Sequence, residues 1–507
     1  MNRPIMDAPR TRSKWAEFLD LTVEPASERP LFQQIYLMLR TAIVSGTLAP
    51  GSRLPSTRQL ADRLGVSRTS VLTAYEQLIA EGYVAGQAGS GTYVSHDVPQ
   101  AVTAVAPPAA SPAKGARRKL SAAGERYLNL ASDLSVVQHS AFGTGCCSID
   151  AVTVEAWRRI SAQEMRRFNP VNLGYADPAG EYDLRNEVAQ YLRAARAVQC
   201  SPEQVVILSG AQQAIDLSLR VLIDPGDQVW IEDPSYFATR AALVAAGARL
   251  VPVPVDGDGL EVATGIAKAP KARAAYVTPS HQFPTGAVMA MSRRLELIAW
   301  AAQTGSWIIE DDYDSEFRYV GRPLASLQGL DREGCVIYVG TLSKILFPGI
   351  RLGFAVLPPG LVGAFTAARF LADRQPPTPH QTIVAEFMRQ GFLTSHIRRM
   401  RQRYREARDV VVESIRRELG DLVEIEEPEC GIQLVIHFRD AISDLAVAAE
   451  ARRDGVVTKP VSPLYLEAPA RSGLVLGYSG FDPHQLRSAA ARLAKATLKV
   501  ARGVQTA

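Results

Sequence analysis

Residues 341–353, TLSKILFPGIRLG, place a lysine after two hydroxyl side chains and before an apolar run, with an arginine seven residues later. The flanking runs CVIYVGT and LGFAVLP are apolar and β-branched and predict two strands. A lysine after a serine is most often exposed. The stretch alone therefore leaves two interpretations of Lys344: a surface charge, or the amine that holds a carbonyl cofactor.

Further from this stretch, short apolar runs alternate with helical segments from about residue 126 onward. QVVILSG, DQVWIEDP, ARAAYVTPS and SWIIEDD predict strands, whereas AQQAIDLSLRVLI and SRRLELIAWAAQTG predict helices. This alternation favours an α/β domain with a mostly parallel sheet covered on both faces. After about residue 360, a long helix through SHIRRMRQRYREARDVVVESI and a few strands predict a smaller α+β lobe over residues 361–507.

A lysine that forms a Schiff base needs neighbours that hold the phosphate, the ring nitrogen and the ring face of its cofactor. In LSGAQQAIDLSL, the backbone amides of Gly210, Ala211 and Gln212 open a predicted helix, whose dipole favours a phosphate there. Asp311 ends a buried strand, which is unfavourable unless a cation such as a protonated pyridine nitrogen faces it. Further candidates are Tyr313 for the phenolic oxygen of the ring, Tyr236 for stacking, and Thr341, Ser343 and Arg351 for the phosphate.

A different module is predicted over residues 28–95. PSTRQLADRLG, with Ser56 or Thr57 as N-cap, and RTSVLTAYEQLIAEG, capped by Ser67, predict two helices separated by a tight Gly-Val turn. GYVAGQAGSGTYVS then predicts a hairpin with a glycine-rich tip, so the module is a winged helix-turn-helix. In such a module the first residues of the second helix reach bases and phosphates in the major groove. Those residues are Ser67, Arg68, Thr69 and Ser70, and Arg68 is the candidate for reading guanine.

The stretch LAPGSRLPSTRQLADRLGVSRTSVLTAYEQLIAEGYV resembles the GntR-type winged helix. This resemblance implies that Arg53, Arg58 and Arg68 contact double-stranded DNA. It also implies that the wing tip GSG, which ends at Gly91, lies near the minor groove. The N-terminal module is therefore expected to bind an operator.

The linker and the overall composition add limits to this organisation. Residues 96–125 are rich in alanine and proline without apolar periodicity and predict a flexible linker before a domain at 126–507. The formal net charge of +4 is too small to indicate a partner by itself. The five cysteines lack zinc-binding spacing, and neither a secretion signal nor an apolar run of membrane-spanning length occurs. A cytoplasmic protein without a metal site or a membrane contact is expected.

The motifs around Lys344, together with NLGYADPAGEYDLRNEVAQYL, TPSHQFPTG and IIEDDYDSEFRY, resemble the fold-type I aminotransferases. With the winged helix in front, the chain resembles the MocR family of transcriptional regulators. The resemblance implies that Lys344 forms an internal aldimine with pyridoxal 5'-phosphate and that Asp311 pairs with the pyridine nitrogen. It further implies that Tyr236 stacks on the ring and that Thr341 and Arg351 help to bind the phosphate.

Two positions depart from the aminotransferase pattern. Phe283 stands where an asparagine usually bonds the cofactor's ring oxygen, and His281 or Tyr313 are candidates to replace that bond. Val475, in GLVLGYSG, stands where an arginine usually binds the substrate carboxylate, and Arg471 is out of register. A simple α-amino acid held in the usual way is therefore not expected.

These observations predict a regulator that depends on pyridoxal phosphate. An effector, which is a small amine, an amino acid or the cofactor itself, would act through aldimine exchange at Lys344 and alter operator binding. A homodimer would set the spacing of operator half-sites, and RNA polymerase is a further candidate partner. One alternative is an active aminotransferase with an appended DNA-binding arm, although no more than a transamination half-reaction is expected. Another is a DNA-binding protein with a vacant cofactor site.

Two further features each have two interpretations. The arginines of the long C-terminal helix either form a solvated, ion-paired face or contact phosphates along DNA. Cys146 and Cys147 are either redox-active or two buried small residues. The six arginines are Arg398, Arg399, Arg401, Arg403, Arg405 and Arg408.

Overall fold

The computed structural model describes residues 22–24, 27, 29–87, 90–96, 119–130, 140–168, 174–321, 324–439 and 442–505. The chain divides into two compact units, Met1–Lys119 and Leu120–Ala507. Within the described ranges, the helices are too short or too polar to cross a membrane.

The first unit consists of three helices and a hairpin. In chain order these are α1 (Leu31–Val44), α2 (Thr57–Leu64), α3 (Arg68–Ala80), β1 (Val84–Gln87) and β2 (Gly91–Val94). The two strands pair in antiparallel fashion. Ile35 and Leu39 of α1 pack with Val71 and Leu78 of α3 in one buried apolar cluster. The predicted winged helix-turn-helix is confirmed.

Local capping explains where the two helices of the motif begin and end. Ser56 accepts a hydrogen bond from the amide of Gln59, and the Gln59 side chain accepts one from the Ser56 amide, which completes a capping box. Gly65 ends α2 at φ 64°, in the left-handed region that favours glycine. Ser67 caps α3 and accepts from the amide of Ser70 at 3.1 Å. Of the two predicted caps for α2, Ser56 is therefore the one used.

The second unit is built around an eight-stranded sheet. In sheet order, the strands are β3 (Val205–Leu208), β10 (Gly353–Val356), β9 (Val336–Thr341), β8 (Trp307–Asp312), β7 (Ala274–Val277), β4 (Gln228–Asp233), β5 (Arg249–Asp256) and β6 (Gly259–Leu260). The five central strands from β9 to β5 pair in parallel. β10 runs antiparallel to both neighbours, and β6 returns antiparallel on β5. The predicted mostly parallel sheet is thus confirmed, with β10 as an internal exception.

Helices cover both faces of this sheet, as predicted. In β3, Val205 and Ile207 join one apolar cluster and Val206 and Leu208 join another, because successive side chains of a strand point to opposite faces. The helices of the second unit that precede the C-terminal lobe are, in chain order, α4 (Ala122–Leu130), α5 (Ala151–Arg167), α6 (Tyr182–Arg196), α7 (Ala211–Leu222), α8 (Phe237–Ala246), α9 (Val262–Lys268), α10 (Met291–Thr304), α11 (Leu327–Leu330), α12 (Val362–Asp373) and α13 (Thr378–Arg389).

The C-terminal lobe has an antiparallel four-stranded sheet of its own, which confirms the α+β prediction. Its strands, in sheet order, are β11 (Val423–Ile425), β12 (Gln433–Phe438), β14 (Gly473–Gly477) and β13 (Lys459–Pro460). Its helices are α14 (Phe392–Leu419), α15 (Asp444–Arg453) and α16 (Pro483–Gln505).

The lobe boundary predicted near residue 360 differs from the packing. Phe365 of α12 and Phe387 of α13 are buried in the clusters of the large sheet. The separate core of the lobe contains Met400 of α14 and also Phe142, from the segment before α5. The lobe's own core therefore begins within α14, at Met400, because α12, α13 and the first turns of α14 bury their apolar faces against the large sheet.

The predicted linker lies mostly outside the described residues. Its last residues belong to α4, which starts at Ala122. The Arg126 guanidinium donates to the carbonyl oxygen of Ala245 at 3.2 Å. The end of the predicted linker is therefore helical and held to the second unit.

Candidate functional site

A cavity of about 610 Å³ in the second unit brings together most of the residues predicted for a cofactor. Its walls come from the ends of the large-sheet strands, from residues 142–145 and from the C-terminal lobe. The predicted residues that line it are Ala211, Gln212, Tyr236, Asp311, Tyr313, Thr341, Ser343, Lys344 and Arg351.

Lys344 follows β9, and its amine reaches into the cavity. Gly145 has φ 82°, and a Cβ atom there would lie 2.5 Å from the lysine Nζ. The Cys147 thiol donates to the Lys344 carbonyl oxygen at 3.1 Å. Among the described residues, no side chain hydrogen-bonds the Lys344 amine. The segment around Gly145 therefore packs against the lysine but leaves its amine available.

Asp311 is a buried carboxylate with one unused oxygen. Its Oδ2 accepts a hydrogen bond from the Tyr276 hydroxyl at 2.6 Å, whereas Oδ1 has no partner among the described residues. Burial, with smaller contributions from the charges of Asp312 and Asp314, raises the pKa of Asp311 to about 6. An ionised carboxylate is costly in this position unless a cation faces it. The site is thus suited to a positively charged ring nitrogen.

We expect Asp311→Asn to change how stability depends on pH in the ligand-free protein. The folded pKa of about 6 exceeds the usual value near 4, so protonation favours the folded state. The contribution is favourable below about pH 4 and is lost as the pH rises to about 6, with a size of about 3 kcal/mol. Urea unfolding at a series of pH values across this range should show that the free energy of unfolding falls less steeply with rising pH in the variant than in the wild type. The exposed Asp258→Asn serves as control, and equal slopes for wild type and Asp311→Asn would contradict the assignment.

The start of α7 forms one end of the cavity. Gly210 precedes this helix at φ 110°, a conformation that L side chains rarely adopt, and Ala211 and Gln212 are its first residues. The first amides of a helix have no partners within the helix and carry its positive dipole end. A Cβ atom at Gly210 would lie 3.3 Å from the Arg351 guanidinium. The glycine therefore allows the arginine to approach the helix start.

Two hydroxyl side chains and Arg351 complete this end. Arg351 donates to the Ser209 carbonyl oxygen at 2.6 Å and lines the cavity. The Ser343 hydroxyl is buried without a hydrogen-bond partner among the described residues. The Thr341 hydroxyl accepts from the Ser343 amide at 3.1 Å, and its proton can still be donated. Donors with a net positive field thus converge as an anion site requires.

Aromatic side chains form the wall between these ends. Tyr236 precedes α8 and meets the rings of Phe237 and Phe283 edge-on, with centroids 5.1 and 5.2 Å away. The Tyr313 hydroxyl donates to the His281 carbonyl oxygen at 2.9 Å. Phe283 presents an apolar ring to the cavity, at the position where the aminotransferase pattern usually has an asparagine.

Of the two candidates to replace that asparagine, Tyr313 lines the cavity and His281 does not. The His281 Nδ1 atom lies 2.9 Å from a carboxylate oxygen of Asp314, and the ring is buried against Gly431. The prediction of a direct His281 contact is therefore not supported. Sequence spacing could not show this, because the direction of the ring depends on Asp314 and Gly431.

Several lining residues were not predicted. Tyr276, in the middle of an apolar strand run, gave no signal of its contact with Asp311. The C-terminal lobe contributes four polar residues from a loop, from strand ends and from the last turn of α15, and none of them has a motif around it. These four are Gln433, Arg452, Thr458 and Lys459. Val475 is fully buried. Arg471 forms an ion pair with Glu424 at 2.9 Å and does not line the cavity.

The predicted DNA-contact residues of the first unit lie mostly on its surface. Arg53, Arg58 and Arg68 are exposed, and the Arg68 Nε atom donates to the Thr57 hydroxyl at 3.3 Å. Ser67 and Thr69 are also exposed. Ser70 is half-buried, and its hydroxyl lies 2.9 Å from that of Ser67.

The wing brings Arg53 and Gly91 together. The Leu54 amide donates to the Thr92 carbonyl oxygen at 2.8 Å, so the segment before α2 runs along β2. A Cβ atom at Gly91 would lie 2.9 Å from the Arg53 Nε atom. Glycine thus permits the guanidinium to pack on the hairpin, while Ala88 and Gly89 of the predicted tip lie outside the described residues.

Three arginines of the α14 cluster have partners within the second unit. Arg399 forms an ion pair with Asp150, and Arg401 donates to the Glu316 carbonyl oxygen at 2.8 Å. Arg408 donates to the Pro428 carbonyl oxygen at 2.9 Å. These contacts favour the interpretation of the cluster as an ion-paired helix face. Contact of the exposed arginines with DNA stays a prediction. The exposed members include Arg398, Arg403 and Arg405.

The two adjacent cysteines are packed rather than open. Cys146 is buried and Cys147 is half-buried, and both are free thiols. Burial raises the pKa of the Cys147 thiol to about 12, so the reactive thiolate is not favoured. The structure supports the interpretation as small packing residues.

Comparison with known proteins agrees with these two units. Residues 31–94 match the family described as "Bacterial regulatory proteins, gntR family", and residues 141–496 match "Aminotransferase class I and II". The "Probable rhizopine catabolism regulatory protein MocR" of Rhizobium meliloti is 39% identical over 467 residues, which cover 92% of this chain and 94% of that protein. The "Uncharacterized HTH-type transcriptional regulator YhdI" of Bacillus subtilis (strain 168) is 34% identical over 471 residues, which cover 92% of this chain and 96% of that protein.

A solved structure resembles the second unit. It is that of LysN, alpha-aminoadipate aminotransferase from Thermus thermophilus, complexed with N-(5'-phosphopyridoxyl)-L-leucine. The TM-score is 0.66 at 28% identity, and the match covers 71% of this chain and 92% of that one. The chain therefore belongs to the aminotransferase class I and II family and, through its N-terminal gntR region, to the MocR-type helix-turn-helix transcriptional regulators.

Proposed function

We propose that this regulator binds pyridoxal 5'-phosphate at Lys344 and that a small amine, acting there, changes its affinity for an operator. One observation carries the proposal. A single cavity combines an available lysine amine, a buried carboxylate with a free oxygen and an anion site at a helix start. The aminotransferase fold and its phosphopyridoxyl-bound neighbour indicate the same cofactor.

The residues of the cavity fit this cofactor. Bound there, pyridoxal phosphate supplies an aldehyde that condenses reversibly with primary amines. Lys344 provides the resident amine, and Asp311 holds the proton of the ring nitrogen by charge and by hydrogen bonding. The amides at the start of α7, the Ser343 hydroxyl and Arg351 hold the phosphate. Tyr236 would pack on the ring, and Tyr313 lines the same cavity while its hydroxyl donates to the His281 carbonyl oxygen.

The same cavity favours sensing over sustained amino transfer. Phe283 offers no hydrogen bond to the ring oxygen, and the fully buried Val475 offers no charge to a substrate carboxylate. The first change removes a polar contact that orients the cofactor, and the second removes one that orients a substrate for repeated turnover. Binding and exchange of an amine need fewer such contacts. Repeated conversion of amino acid to keto acid by the purified protein would therefore favour the alternative of an active aminotransferase.

A second copy of the chain is proposed to complete the regulator. Tyr175, Phe370 and Leu371 are exposed, and the Arg374 guanidinium lies 4.2 Å from the Tyr175 ring centroid. An exposed apolar patch of this kind supports an interface between copies. A twofold dimer would present two copies of α3 to a palindromic operator. The RNA polymerase contact and the cytoplasmic location stay predictions.

The test couples the two halves of the proposal. An operator is first selected from random duplexes with the full-length protein, and its Kd is then measured by fluorescence anisotropy while amines are added. We expect an amine that changes the visible spectrum of the bound cofactor to shift the operator Kd by about 5- to 150-fold, because coupling between sites is usually 1–3 kcal/mol. Spectral changes with an unaltered operator Kd would contradict sensing.

A further inference from the structure

The C-terminal lobe places a basic residue beside the position where the arginine is missing. Lys459 of β13 is the antiparallel partner of Val475 in β14. Directly opposed residues of such a pair project from the same face of the sheet, with Cβ atoms about 4.5–5.5 Å apart. The charge absent at Val475 is therefore available one strand away.

This face of the small sheet forms part of the cavity. Val475 also pairs with Val435 of β12, and both valines pack in one buried cluster with Phe283. Gln433 lies two residues before Val435 and so projects from the same face. Gln433, Phe283 and Lys459 all line the cavity.

The Lys459 amine lacks a counter-charge. Its Nζ atom lies 3.6 Å from the ring centroid of Phe237 and 5.4 Å from that of Tyr236. Among the described residues, none forms a hydrogen bond or an ion pair with it. Burial, and then the charge of Arg240, lower the pKa of Lys459 to about 7. An anion arriving at this amine would restore the lost stabilisation of its charge.

Two neutral donors in the same wall are also unpartnered. The Nε2 atom of Gln433 and the hydroxyl of Thr458 are buried and have no hydrogen-bond partner among the described residues. Gln433 is 4% exposed and Thr458 is 6% exposed, and both residues line the cavity. Buried donors in native proteins are rarely left unpaired, so their presence here points to a ligand.

We propose that Lys459, Gln433 and Thr458 form a subsite for an anionic group of the effector. The effector is then a primary amine that also carries a carboxylate or a sulfonate, and not a simple alkylamine. This inference rests on the proposed function, since the amine end of the same molecule has to reach the cofactor at Lys344. Arg452 also lines the cavity, but this residue is exposed.

The test compares amines of matched chain length with and without an anionic end. Purified full-length protein with bound cofactor is titrated with ω-amino carboxylates, ω-amino sulfonates and the corresponding alkylamines, and the visible spectrum reports binding. We expect wild type to bind at least one anionic amine roughly tenfold or more tightly than its neutral counterpart. Lys459→Met should reduce this ratio to about one, because methionine keeps the length without the charge.

Two variants serve as controls. Lys459→Arg should keep the preference, and Arg452→Met, which removes the other positive charge of this wall, should keep it as well. A preference that survives in Lys459→Met, or that disappears only in Arg452→Met, would overturn the subsite.

A second readout does not depend on the cofactor. Alkyl carboxylates of the same length lack the amine, and calorimetry should detect their weak binding to wild type but not to Lys459→Met. If amines alter the spectrum but Lys459→Met keeps the ratio, the subsite is refuted and the proposed function stands. If no amine alters the spectrum of wild type, the proposed function fails, and the calorimetric comparison alone decides whether Lys459 binds anions.

Discussion

Lys344→Ala is expected to abolish the link between pyridoxal phosphate and the protein that borohydride reduces. The amine of this residue lies in the cavity without a hydrogen-bond partner among the described side chains, and Gly145 leaves room for it. Alanine offers no nucleophile to the aldehyde, so the loss should be complete and not partial. Mass spectrometry of peptides from the reduced protein, together with visible absorbance, measures the result.

Lys459→Met is the matched control, because Lys459 is the other lysine among the described residues that line the cavity. It should retain the full reducible adduct. An adduct that remains in Lys344→Ala, whether at Lys459 or elsewhere, would refute the assignment of Lys344. Operator binding by Lys344→Ala without effector should persist, since the winged helix has its own core of buried apolar residues.

Arg68→Ala is expected to weaken operator binding by about 1–3 kcal/mol, which is about 5- to 150-fold. Arg68 is exposed at the first position of α3, which is the end of a recognition helix that reaches base edges. Within the described residues, its side chain donates a hydrogen bond to the Thr57 hydroxyl at 3.3 Å, a long contact that leaves the rest of the guanidinium available. Anisotropy titrations with the selected operator and with mutated operators measure the change.

The salt dependence separates base reading from general charge. If Arg68 reads a base, Arg68→Ala should weaken binding to the selected operator but not to operators mutated at that base. If Arg68 contacts a phosphate, Arg68→Ala should weaken binding to all sequences alike and lower the salt slope by about one. Arg403→Ala in α14 removes one exposed arginine of the second unit and serves as control. Unchanged affinity of Arg68→Ala at every salt concentration would rule this residue out as a contact. A comparable loss in Arg403→Ala would support the DNA interpretation of the arginine cluster.

Local sequence patterns were sufficient for much of the fold. Strand periodicity located β3, β4 and β7 to β10, and the hydroxyl residues and glycines around α2 and α3 located the ends of those helices. These signals succeed because a cap, a turn or an alternating strand depends on residues within a few positions. The order of the motifs around Lys344 likewise indicated its cavity before any contact was known.

Residues that act through distant partners could not be predicted in this way. His281 was a candidate for the ring oxygen, but its imidazole is directed to Asp314. Tyr276 was missed because a tyrosine in an apolar strand is usually a packing residue, and its contact with Asp311 depends on the alignment of β7 with β8. The boundary near residue 360 differs from the packing for a similar reason. The faces that α12 and α13 bury are decided by the sheet they cover.

By itself, the sequence of this protein determined a winged helix, an α/β domain with a smaller lobe, and a lysine at the end of a strand. Only the tertiary structure decided that Lys459 stands beside Val475 and that Gln433 and Thr458 face the same cavity. The physical reason is the range of the interactions. Capping and periodicity act over a few residues of chain, whereas β13 pairs Lys459 with Val475, 16 positions away, and the lobe and the large sheet line one cavity with segments far apart in sequence.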